Sequence, residues 1–293
     1  MNDTPATGDP REFRTDRELD VLIPSRDRAP ELAVTLSGLA AQQRPPEFGV
    51  AVSDQSDGAP PWEAPAVAAM VRVLRHGGRP VLLTRHLPRR GVAENRAHLL
   101  ARSAARYVLC LDDDVWLESG ALDRMLTGMR ALRCGFVGSF VHGLSYADDV
   151  RPDTHDAYEE WPGSPTPERV RPDTPEWERA RLHAAANLLH VTERLGLRDG
   201  EWRAYKVAWV GGCVLYDRRK LVEAGGFEFW RRVPAEHAGE DVAAQLEVMA
   251  RYAGAGIVPS GAYHLEAPTT VPNREVQAHE VLLADAGRPG LAR

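Results

Sequence analysis

Length, composition and charge exclude several classes of protein. The chain has 293 residues, 43% of them hydrophobic and 27% charged, a balance typical of a globular protein long enough for one large α/β domain or two modest ones. Its 36 Lys and Arg residues against 42 Asp and Glu give a formal net charge of -6. A general nucleic-acid binder is therefore not expected, because such proteins need a basic excess to neutralise phosphates.

The N-terminal residues are polar. Residues 1–18 form an arm without the apolar stretch and small-residue cleavage site of a secretion signal, so we expect a cytoplasmic protein. No apolar run approaches the roughly 20 residues of a membrane-spanning helix, so an integral membrane protein is not expected. The cysteines Cys110, Cys134 and Cys213 lack the spacing of a metal site, and we expect reduced, buried thiols.

Strand and helix patterns alternate through the first part of the chain. Short apolar runs bounded by charged residues, Pro or Gly predict buried strands at residues 20–24, 48–53, 81–84 and 107–111. Apolar residues at helical spacing predict helices that start at Pro30 and that cover residues 65–74 and 93–105. This alternation predicts an α/β fold with a mostly parallel central sheet and helices on both faces, in which ligands bind beyond the carboxyl ends of the strands.

The second part of the chain is less regular. A helix is predicted to follow Gly120, and residues 143–206, rich in Pro, Trp and charged residues, form a long excursion from the domain with one helix at residues 176–195. Regular structure returns with a strand at residues 208–216, helices at 218–224 and 240–252, and a short strand at 257–258. The tail after Pro268 has no clear pattern.

Three adjacent carboxylates follow the predicted strand at residues 107–111. Asp112, Asp113 and Asp114 repel one another unless a cation or backbone donors compensate their charges. Oxygen ligands favour a hard ion such as Mg2+ or Mn2+, which takes its remaining ligands from water and substrate phosphates. The alternative is a solvated acidic turn that caps the next helix, but the position at a strand end favours a ligand site.

A second acidic pair, Glu240 and Asp241, follows Gly239 at the start of a predicted helix. Acidic residues in the first turn of a helix are ordinary partners of the helix dipole. Taken alone, this pair therefore indicates little about function.

Several motifs occur in a characteristic order. They are the opening strand from Val21 to Arg26, the acidic loop at residues 53–58, the segment at 91–96, the three aspartates at 112–114, the Gly pair at 211–212, residues 225–227 and the segment at 239–241. Together they make residues 19–266 resemble the family-2 glycosyltransferases of the GT-A fold. The resemblance implies transfer of a sugar from a UDP-, GDP- or dTDP-linked donor to an acceptor, which the sequence does not identify.

The same resemblance implies a division of the chain. Residues 19–266 would form the catalytic domain, with a nucleotide-sugar-binding half at 19–118 and an acceptor and catalytic half at 207–266. The excursion at 143–206 would contribute to the acceptor site, because the donor-binding parts are accounted for elsewhere. Residues 267–293 would be a C-terminal tail.

Donor-binding residues are also implied by the resemblance. They are Pro24, Arg26, Asp54, Arg96, Asp112 and Asp113. Asp54 would contact the base of the nucleotide, with Pro24 and Arg26 in the same pocket, and Arg96 would lie near the diphosphate or orient the acidic loop.

Metal ligands and a catalytic base follow from the same likeness. Asp112 and Asp114 match the metal-binding aspartates, with Asp114 as the direct ligand of Mn2+ or Mg2+, and His264 is similar to a late histidine that completes the metal site in some GT-A enzymes. Asp241 matches the base of inverting members, with Glu240 as its neighbour and alternative. A metal that stabilises the departing diphosphate and a separate carboxylate that deprotonates the acceptor suit an inverting single displacement.

The sequence departs from the family pattern at three places. Ala243 stands where a further acidic residue is frequent, Gln55 where a second acidic residue is frequent in the loop after the second strand, and Gln245 in the region of a usual arginine. The Gln-x-x-Arg-Trp signature of processive polysaccharide synthases is missing, which favours a single-transfer enzyme.

Two other functions are compatible with an α/β fold and acidic residues. A sugar-phosphate nucleotidylyltransferase would be expected to have a Gly-rich basic loop after the first strand, but residues 24–28 contain no glycine. A catalytically idle module that binds nucleotide sugars or glycans would bind without turnover. Trp202, Trp209 and Trp230 could stack on a sugar, although tryptophans near a domain centre are more often packing residues.

Overall fold

The computed structural model describes residue 13 and residues 16–43, 46–271 and 274–286. Its β-strands are β1 Leu19–Ser25, β2 Phe48–Asp54, β3 Val81–Arg85, β4 Tyr107–Leu111, β5 Val115–Leu117, β6 Phe136–Gly138, β7 Val141–Gly143, β8 Arg203–Tyr205, β9 Cys213–Asp217, β10 Gly254–Val258 and β11 Ala262–His264. Its α-helices are α1 Ala29–Ala40, α2 Pro65–His76, α3 Val92–Leu100, α4 Ala121–Leu132, α5 Pro152–His155, α6 Asn187–Leu195, α7 Arg218–Glu223, α8 Glu240–Tyr252 and α9 Ala278–Ala286. Short 3-10 helices lie at Pro61–Glu63, Leu144–Tyr146, Pro175–Leu182 and Glu228–Arg231.

Eight strands form a central sheet in the order β3-β2-β1-β4-β9-β6-β10-β8. The pairs β1 with β2, β1 with β4, β2 with β3 and β6 with β10 are parallel. Strand β9 is antiparallel to both β4 and β6, and β8 is antiparallel to β10. The predicted α/β class with a mostly parallel central sheet is confirmed, since four of these seven pairings are parallel.

Hydrophobic cores cover both faces of the central sheet. Along β1, Val21 and Ile23 belong to one core and Leu22 to the other, because successive side chains of a strand point to opposite faces. Helices α1, α2 and α4 contribute buried residues to the first core, and α3, α6 and α8 to the second. The sequence prediction of helices on both faces is therefore also confirmed.

A second sheet of three short strands, β5-β11-β7, lies next to the acidic loop after β4. Strand β11 is antiparallel to β5, with His264 opposite Val115. The backbone N–H of Leu265 donates to the carbonyl oxygen of Asp114 at 2.8 Å. This pairing brings the late histidine beside the cluster of three aspartates.

Three predicted elements differ from the structure at their ends or in their middle. The strand predicted at residues 208–216 is paired only from Cys213 onwards, because Gly212 takes a positive φ of 76°. The helix predicted at 176–195 is divided into the 3-10 helix Pro175–Leu182 and α6, and Ala185 between them has a φ of 53°. The helix predicted at 93–105 ends at Leu100.

Two further sequence expectations concern the cysteines and membrane helices. Cys110, Cys134 and Cys213 are free and buried, as expected. Burial raises the pKa of the Cys110 thiol to about 11, against a smaller opposite effect of the Arg96 charge. Within the described residue ranges, every helix is too short or too polar to cross a bilayer.

The buried imidazole of His142 makes stability depend on pH. This residue of β7 is 2% exposed, and burial, assisted by the charge of His190, lowers its pKa from 6.5 to about 4. Below pH 6.5 the unfolded chain takes up a proton that the folded protein binds only near pH 4. This residue therefore lowers the free energy of unfolding by about 1.4 kcal/mol per pH unit as the pH falls through that window.

We expect His142→Gln to reduce the loss of stability on acidification. Between pH 7 and pH 5 the variant should lose about 2 kcal/mol less free energy of unfolding than the wild type, measured by urea denaturation at both pH values. His76→Gln, a substitution at an exposed position of α2, is the control and should keep the wild-type dependence. Equal losses in wild type and His142→Gln would contradict this account.

Candidate active site

An open cleft of about 860 Å3 lies at the carboxyl ends of β1 and β4. The loop after β1, the three aspartates, the starts of α3 and α8, and the segment after β11 all contribute to its lining. The predicted site residues that line it are Pro24, Arg26, Arg96, Asp112, Asp113, Asp114, Glu240, Asp241 and His264. The structure thus brings together side chains from distant parts of the sequence, at the edge of the sheet where parallel strands end.

The position of Asp112 follows from the antiparallel pairing of β4 with β9. The N–H of Asp112 donates to the carbonyl oxygen of Gly212 at 2.9 Å, just outside the paired strands. A Cβ on Gly212 would lie 3.4 Å from Asp112 Oδ2 and 3.0 Å from Val141. Glycine therefore provides both the positive φ and the space that the acidic loop needs.

Arg96 connects the two acidic segments of the cleft. Its Nη2 donates to Asp112 Oδ1 at 2.6 Å and its Nε to Glu240 Oε1 at 2.9 Å. The Arg96 side chain is only 5% exposed. Burial alone would lower the pKa of its guanidinium, but the charges of Asp112 and Glu240 raise it well above its usual value. This arginine therefore holds the end of β4 and the start of α8 against α3.

We expect Arg96→Ala to destabilise the fold strongly. The substitution leaves the largely buried carboxylate of Glu240 without its cation, and removal of one partner from a buried ion pair costs about 3–5 kcal/mol; the loss of the pair with the more exposed Asp112 adds less. Arg130→Ala is the matched control, because it breaks the exposed pair with Glu18 and should cost less than about 1 kcal/mol. Denaturant titration measures both values, and equal small losses would show that the Arg96 bonds contribute little.

Asp113 and Asp114 are neighbours with opposite electrostatic environments. Burial raises the pKa of Asp113 to about 7, although the hydrogen bond from Ser25 and the charge of Arg28 act in the other direction. Burial would also raise the pKa of Asp114, but the hydrogen bond and charge of His264, together with Arg28, lower it below its usual value. Asp114 is therefore the carboxylate that stays ionised.

Asp113 anchors the loop after β1. Its Oδ2 accepts hydrogen bonds from Ser25 Oγ at 2.8 Å and from the N–H of Arg26 at 3.4 Å. Its carbonyl oxygen accepts from Thr35 Oγ1 at 2.8 Å. These bonds connect the acidic loop with β1 and α1 and give Asp113 a structural position in addition to its place in the cleft lining.

His264 and Asp114 form the pair of side chains that could hold a metal ion. His264 Nε2 lies 3.4 Å from Asp114 Oδ2. An ion about 2.1 Å from each of two ligands, as for Mg2+, places those ligands about 3 Å apart, so the spacing suits a shared ion. A carboxylate and an imidazole suit Mn2+, with diphosphate oxygens and waters as further ligands. In the described part of the chain, no group of three or more His, Cys, Asp or Glu side chains is arranged to hold a metal.

Two contacts must change before this pair can hold an ion. The guanidinium of Arg28 donates to Asp114 Oδ2, the oxygen that also faces His264. The N–H of Glu266 donates to His264 Nδ1 at 2.8 Å, which leaves the proton of the neutral ring on Nε2. The donor set fits a divalent cation once Arg28 has moved and the His264 proton has been transferred or lost.

Asp241 lies at the start of α8, after Gly239, which has a φ of 72°. One carboxylate oxygen, Oδ1, accepts from the N–H of Val242 at 2.8 Å, and a Cβ added to Gly211 would lie 3.4 Å from the other, Oδ2. Burial and the negative charge of Glu240 raise the pKa of Asp241. A cleft carboxylate with a raised pKa is a suitable proton acceptor near neutral pH.

Gln245 connects α8 with the segment before β9. Its Oε1 accepts from the N–H of Val210 at 2.8 Å, and its Nε2 donates to the carbonyl oxygens of Val210 at 2.7 Å and Asp241 at 3.1 Å. The amide thus replaces strand pairing at residue 210. A neutral side chain with both a donor and an acceptor is needed for these bonds, which gives a physical reason for glutamine at this position.

An aromatic pair forms another part of the lining. The rings of Trp177 and Trp209 are 4.6 Å apart, and His279 lies 5.5 Å from Trp177. All three line the same cleft as Asp241. Trp177 comes from the excursion at residues 143–206, so this excursion reaches the cleft.

Asp54 is the predicted site residue that the cleft lining does not include. It is completely buried, and its Oδ1 accepts from the N–H of Ser56 at 3.0 Å. Its neighbour Gln55 lines the cleft instead, with Nε2 3.4 Å from Glu94 Oε2. The contact with a nucleotide base that the resemblance implies for Asp54 remains a prediction.

Sequence reasoning missed several residues of the cleft: Arg28, Trp177, Gln277 and His279. Arg28 was within reach of prediction, because it lies in the loop after the first strand, where α/β sheets bind ligands. Gln277 and His279 belong to the tail after Pro268, which has no clear sequence pattern, and their place depends on the contact of α9 with α8.

Fold and site together define an α/β protein of the GT-A type. Residues 20–188 match the model of the family described as glycosyl transferase family 2. Because this match covers more than half of the chain, the protein belongs to that family. The resemblance seen in the sequence and the predicted class, glycosyltransferase, are thereby confirmed.

Solved structures with a similar fold include three complexes. The mannosyltransferase PcManGT from Pyrobaculum calidifontis, with GDP-Man and Mn2+, has a TM-score of 0.54 and 14% identity, over 92% of this chain and 62% of that one. S. aureus TarS with UDP-GlcNAc has a TM-score of 0.52 and 14% identity, over 87% and 60%. GalNAc-T7 with UDP, GalNAc and Mn2+ has a TM-score of 0.56 and 12% identity, over 85% and 44%.

These likenesses establish the fold alone, because the identities are low. The chain spans less than two thirds of the length of each of the three structures. No curated protein matches the sequence.

Proposed function

We propose that this protein is a metal-dependent, inverting glycosyltransferase that moves a sugar from a nucleoside diphosphate donor to an acceptor hydroxyl. The observation that carries the proposal is the double contact of Arg96, which holds Asp112 of the metal side and Glu240 beside Asp241 in one cleft. Family membership supports the reaction class. The Mn2+ in the PcManGT and GalNAc-T7 structures supports the choice of cofactor.

The donor side of the cleft contains Pro24, Arg26, Gln55 and the aspartates after β4. Asp114 and His264 would hold Mn2+ or Mg2+, and such an ion stabilises the negative charge that grows on a departing diphosphate. Arg26 is half-buried at the cleft, and its Nη1 donates to the carbonyl oxygen of Thr270 at 3.4 Å. Arg26 would thus lie between the bound nucleotide and the segment after β11.

Asp241 would act as the general base. Its Oδ1 is held by the N–H of Val242, so the carboxylate has a fixed orientation, and its raised pKa suits removal of a proton from a hydroxyl. Glu240 is bonded to Arg96, which makes it the less available of the two acidic residues. The base and the metal ligands lie on different segments. The acceptor hydroxyl would therefore attack the anomeric carbon from the face opposite the leaving diphosphate, which inverts the configuration of that carbon.

The acceptor side would be formed by the excursion at residues 143–206 and the segment before β9. Trp177 from the excursion and Trp209 before Gly211 contact each other in the same cleft as Asp241. Gln245 bonds the backbone of Val210, next to Trp209, and the backbone of Asp241, so one side chain connects the two segments that carry Trp209 and the base. Indole rings can stack on a sugar face or another flat acceptor.

We expect Asp241→Asn to abolish the base without removing donor binding. Transfer should fall by about 100-fold or more, the scale of a lost general base, while the affinity for UDP or GDP in the presence of Mn2+ should stay near wild type. Asp123→Asn, at an exposed position in the first turn of α4 and outside the cleft lining, is the matched control. Release of nucleoside diphosphate from a panel of nucleotide sugars and acceptors measures turnover, and calorimetry measures affinity.

Full activity of Asp241→Asn would remove this residue from the mechanism. If the wild type binds nucleotide sugars but releases no nucleoside diphosphate with any donor and acceptor of the panel, the chain is a binding module instead. These two results are distinct, so the test separates an incorrect base from an incorrect reaction class.

We expect Asp114→Asn to weaken the metal-dependent part of donor binding. Calorimetric titration of UDP and GDP with and without Mn2+ should show a Mn2+ enhancement in the wild type and at least about a tenfold weaker affinity with Mn2+ in the variant, because one charged ligand is lost. Asp123→Asn, at an exposed position in the first turn of α4, should behave as the wild type. An unchanged Mn2+ enhancement in Asp114→Asn would exclude the ligand role.

A further inference from the structure

Arg28 occupies the position beside Asp114 that a metal ion held by Asp114 and His264 would need. Its side chain is 11% exposed, and its Nη1 contacts Asp113 Oδ1 at 3.3 Å as well as Asp114 Oδ2. The same Oδ2 faces His264 Nε2 at 3.4 Å. A guanidinium and a divalent ion cannot both contact this oxygen from the same side. Both are cations and repel each other, and the space beside Asp114 Oδ2 admits only one of them.

Arg28 also has a second partner, across the cleft. Its Nη2 donates to the carbonyl oxygen of Pro268, in the segment after β11. Arg26 makes a similar bond to Thr270 in the same segment. The loop after β1 therefore contacts both the acidic cluster and the segment at residues 267–271, which lines the cleft.

The backbone of Arg28 is fixed while its side chain faces the cleft. Its carbonyl oxygen accepts from the N–H of Leu32 at 2.9 Å in the first turn of α1, and the N–H of Asp27 donates to Ser56 Oγ at 2.8 Å. Arg28 lines the cleft together with Arg26 and Arg96. A movement of Arg28 thus needs only new side-chain torsions, and the guanidinium stays within the cleft.

We propose that Arg28 exchanges one anion for another: it holds Asp114 until a divalent ion and a donor arrive, and then binds the diphosphate of the donor. This inference rests on the proposed function, because it takes Asp114 and His264 as the metal ligands. A guanidinium presents several N–H donors in a planar fork, which fits phosphate oxygens as well as carboxylates. When Asp114 binds the ion, Arg28 loses an anionic partner. The diphosphate therefore takes the place of Asp114 as the anion that Arg28 contacts.

The exchange predicts effects of opposite sign on two affinities. Without nucleotide, Arg28 competes with Mn2+ for Asp114, so Arg28→Ala should bind Mn2+ about tenfold more tightly than the wild type. At saturating Mn2+, Arg28 contributes to the diphosphate, so the same variant should bind UDP or GDP about tenfold more weakly. Mn2+ alone is titrated by electron paramagnetic resonance of the free ion, and the nucleotides by calorimetry.

Two further variants keep this test independent of folding defects. Arg28→Lys retains the charge without the fork and should keep Mn2+ affinity nearer to wild type while still weakening the nucleotide. Arg124→Ala breaks the half-buried pair with Glu118 outside the cleft and should change neither affinity. Thermal melting of each variant shows whether it is folded before it is titrated.

The possible results separate this inference from the proposed function. Equal Mn2+ affinity in wild type and Arg28→Ala, or a loss of both affinities, overturns the exchange while the metal site stands. Nucleotide binding that is the same with EDTA as with Mn2+, and that is lost in Arg28→Ala, also overturns it, because Arg28 would then replace the metal. If neither the wild type nor Arg28→Ala binds Mn2+, the metal ligands of the proposed function are wrong as well.

Discussion

The cleft depends on the compensation of four acidic side chains by two arginines. Asp112 and Glu240 are bonded to Arg96, and Asp113 and Asp114 contact Arg28. Both guanidinium groups are largely buried, so water screens these pairs little and their geometry is well defined. Charges that would otherwise drive the loop after β4 away from α8 instead hold the two segments together.

The two arginines differ in the groups that they contact. Arg96, on α3, pairs with Asp112 after β4 and with Glu240 at the start of α8. Because its side chain is buried, it stabilises the fold. Arg28 contacts carboxylates and a carbonyl oxygen of the segment after β11, all of which line the cleft or adjoin it. Its removal from Asp114 frees a carboxylate oxygen that faces His264 for another cation.

The part of the cleft formed by the loops after the first strands could be predicted because its signals are local. Each of the first four strands is an apolar run with a clear end, so the rule that α/β sheets bind ligands at their carboxyl edge identified residues 112–114 before any contact was known. The strands β5, β7 and β11 have three residues each, too few for a period-two pattern, and only their mutual pairing brings His264 beside Asp114. The break in the helix at Ala185 likewise depends on tertiary contacts, since nothing in the local sequence requires a positive φ there.

The tail supplies a physical reason for the departure at Ala243. The side chain of Ala243 is 2% exposed and packs with Val233 and Ala278, at the contact between α8 and α9. An acidic residue at this position would bury a charge against the apolar side chains of Val233 and Ala278, which is costly without a partner. Because α9 also brings His279 beside Trp177, the same packing that forbids an acidic side chain at residue 243 builds one wall of the cleft. The loss of one acidic residue of the family pattern is thus coupled to the aromatic wall of the cleft, and the two features are expected to change together.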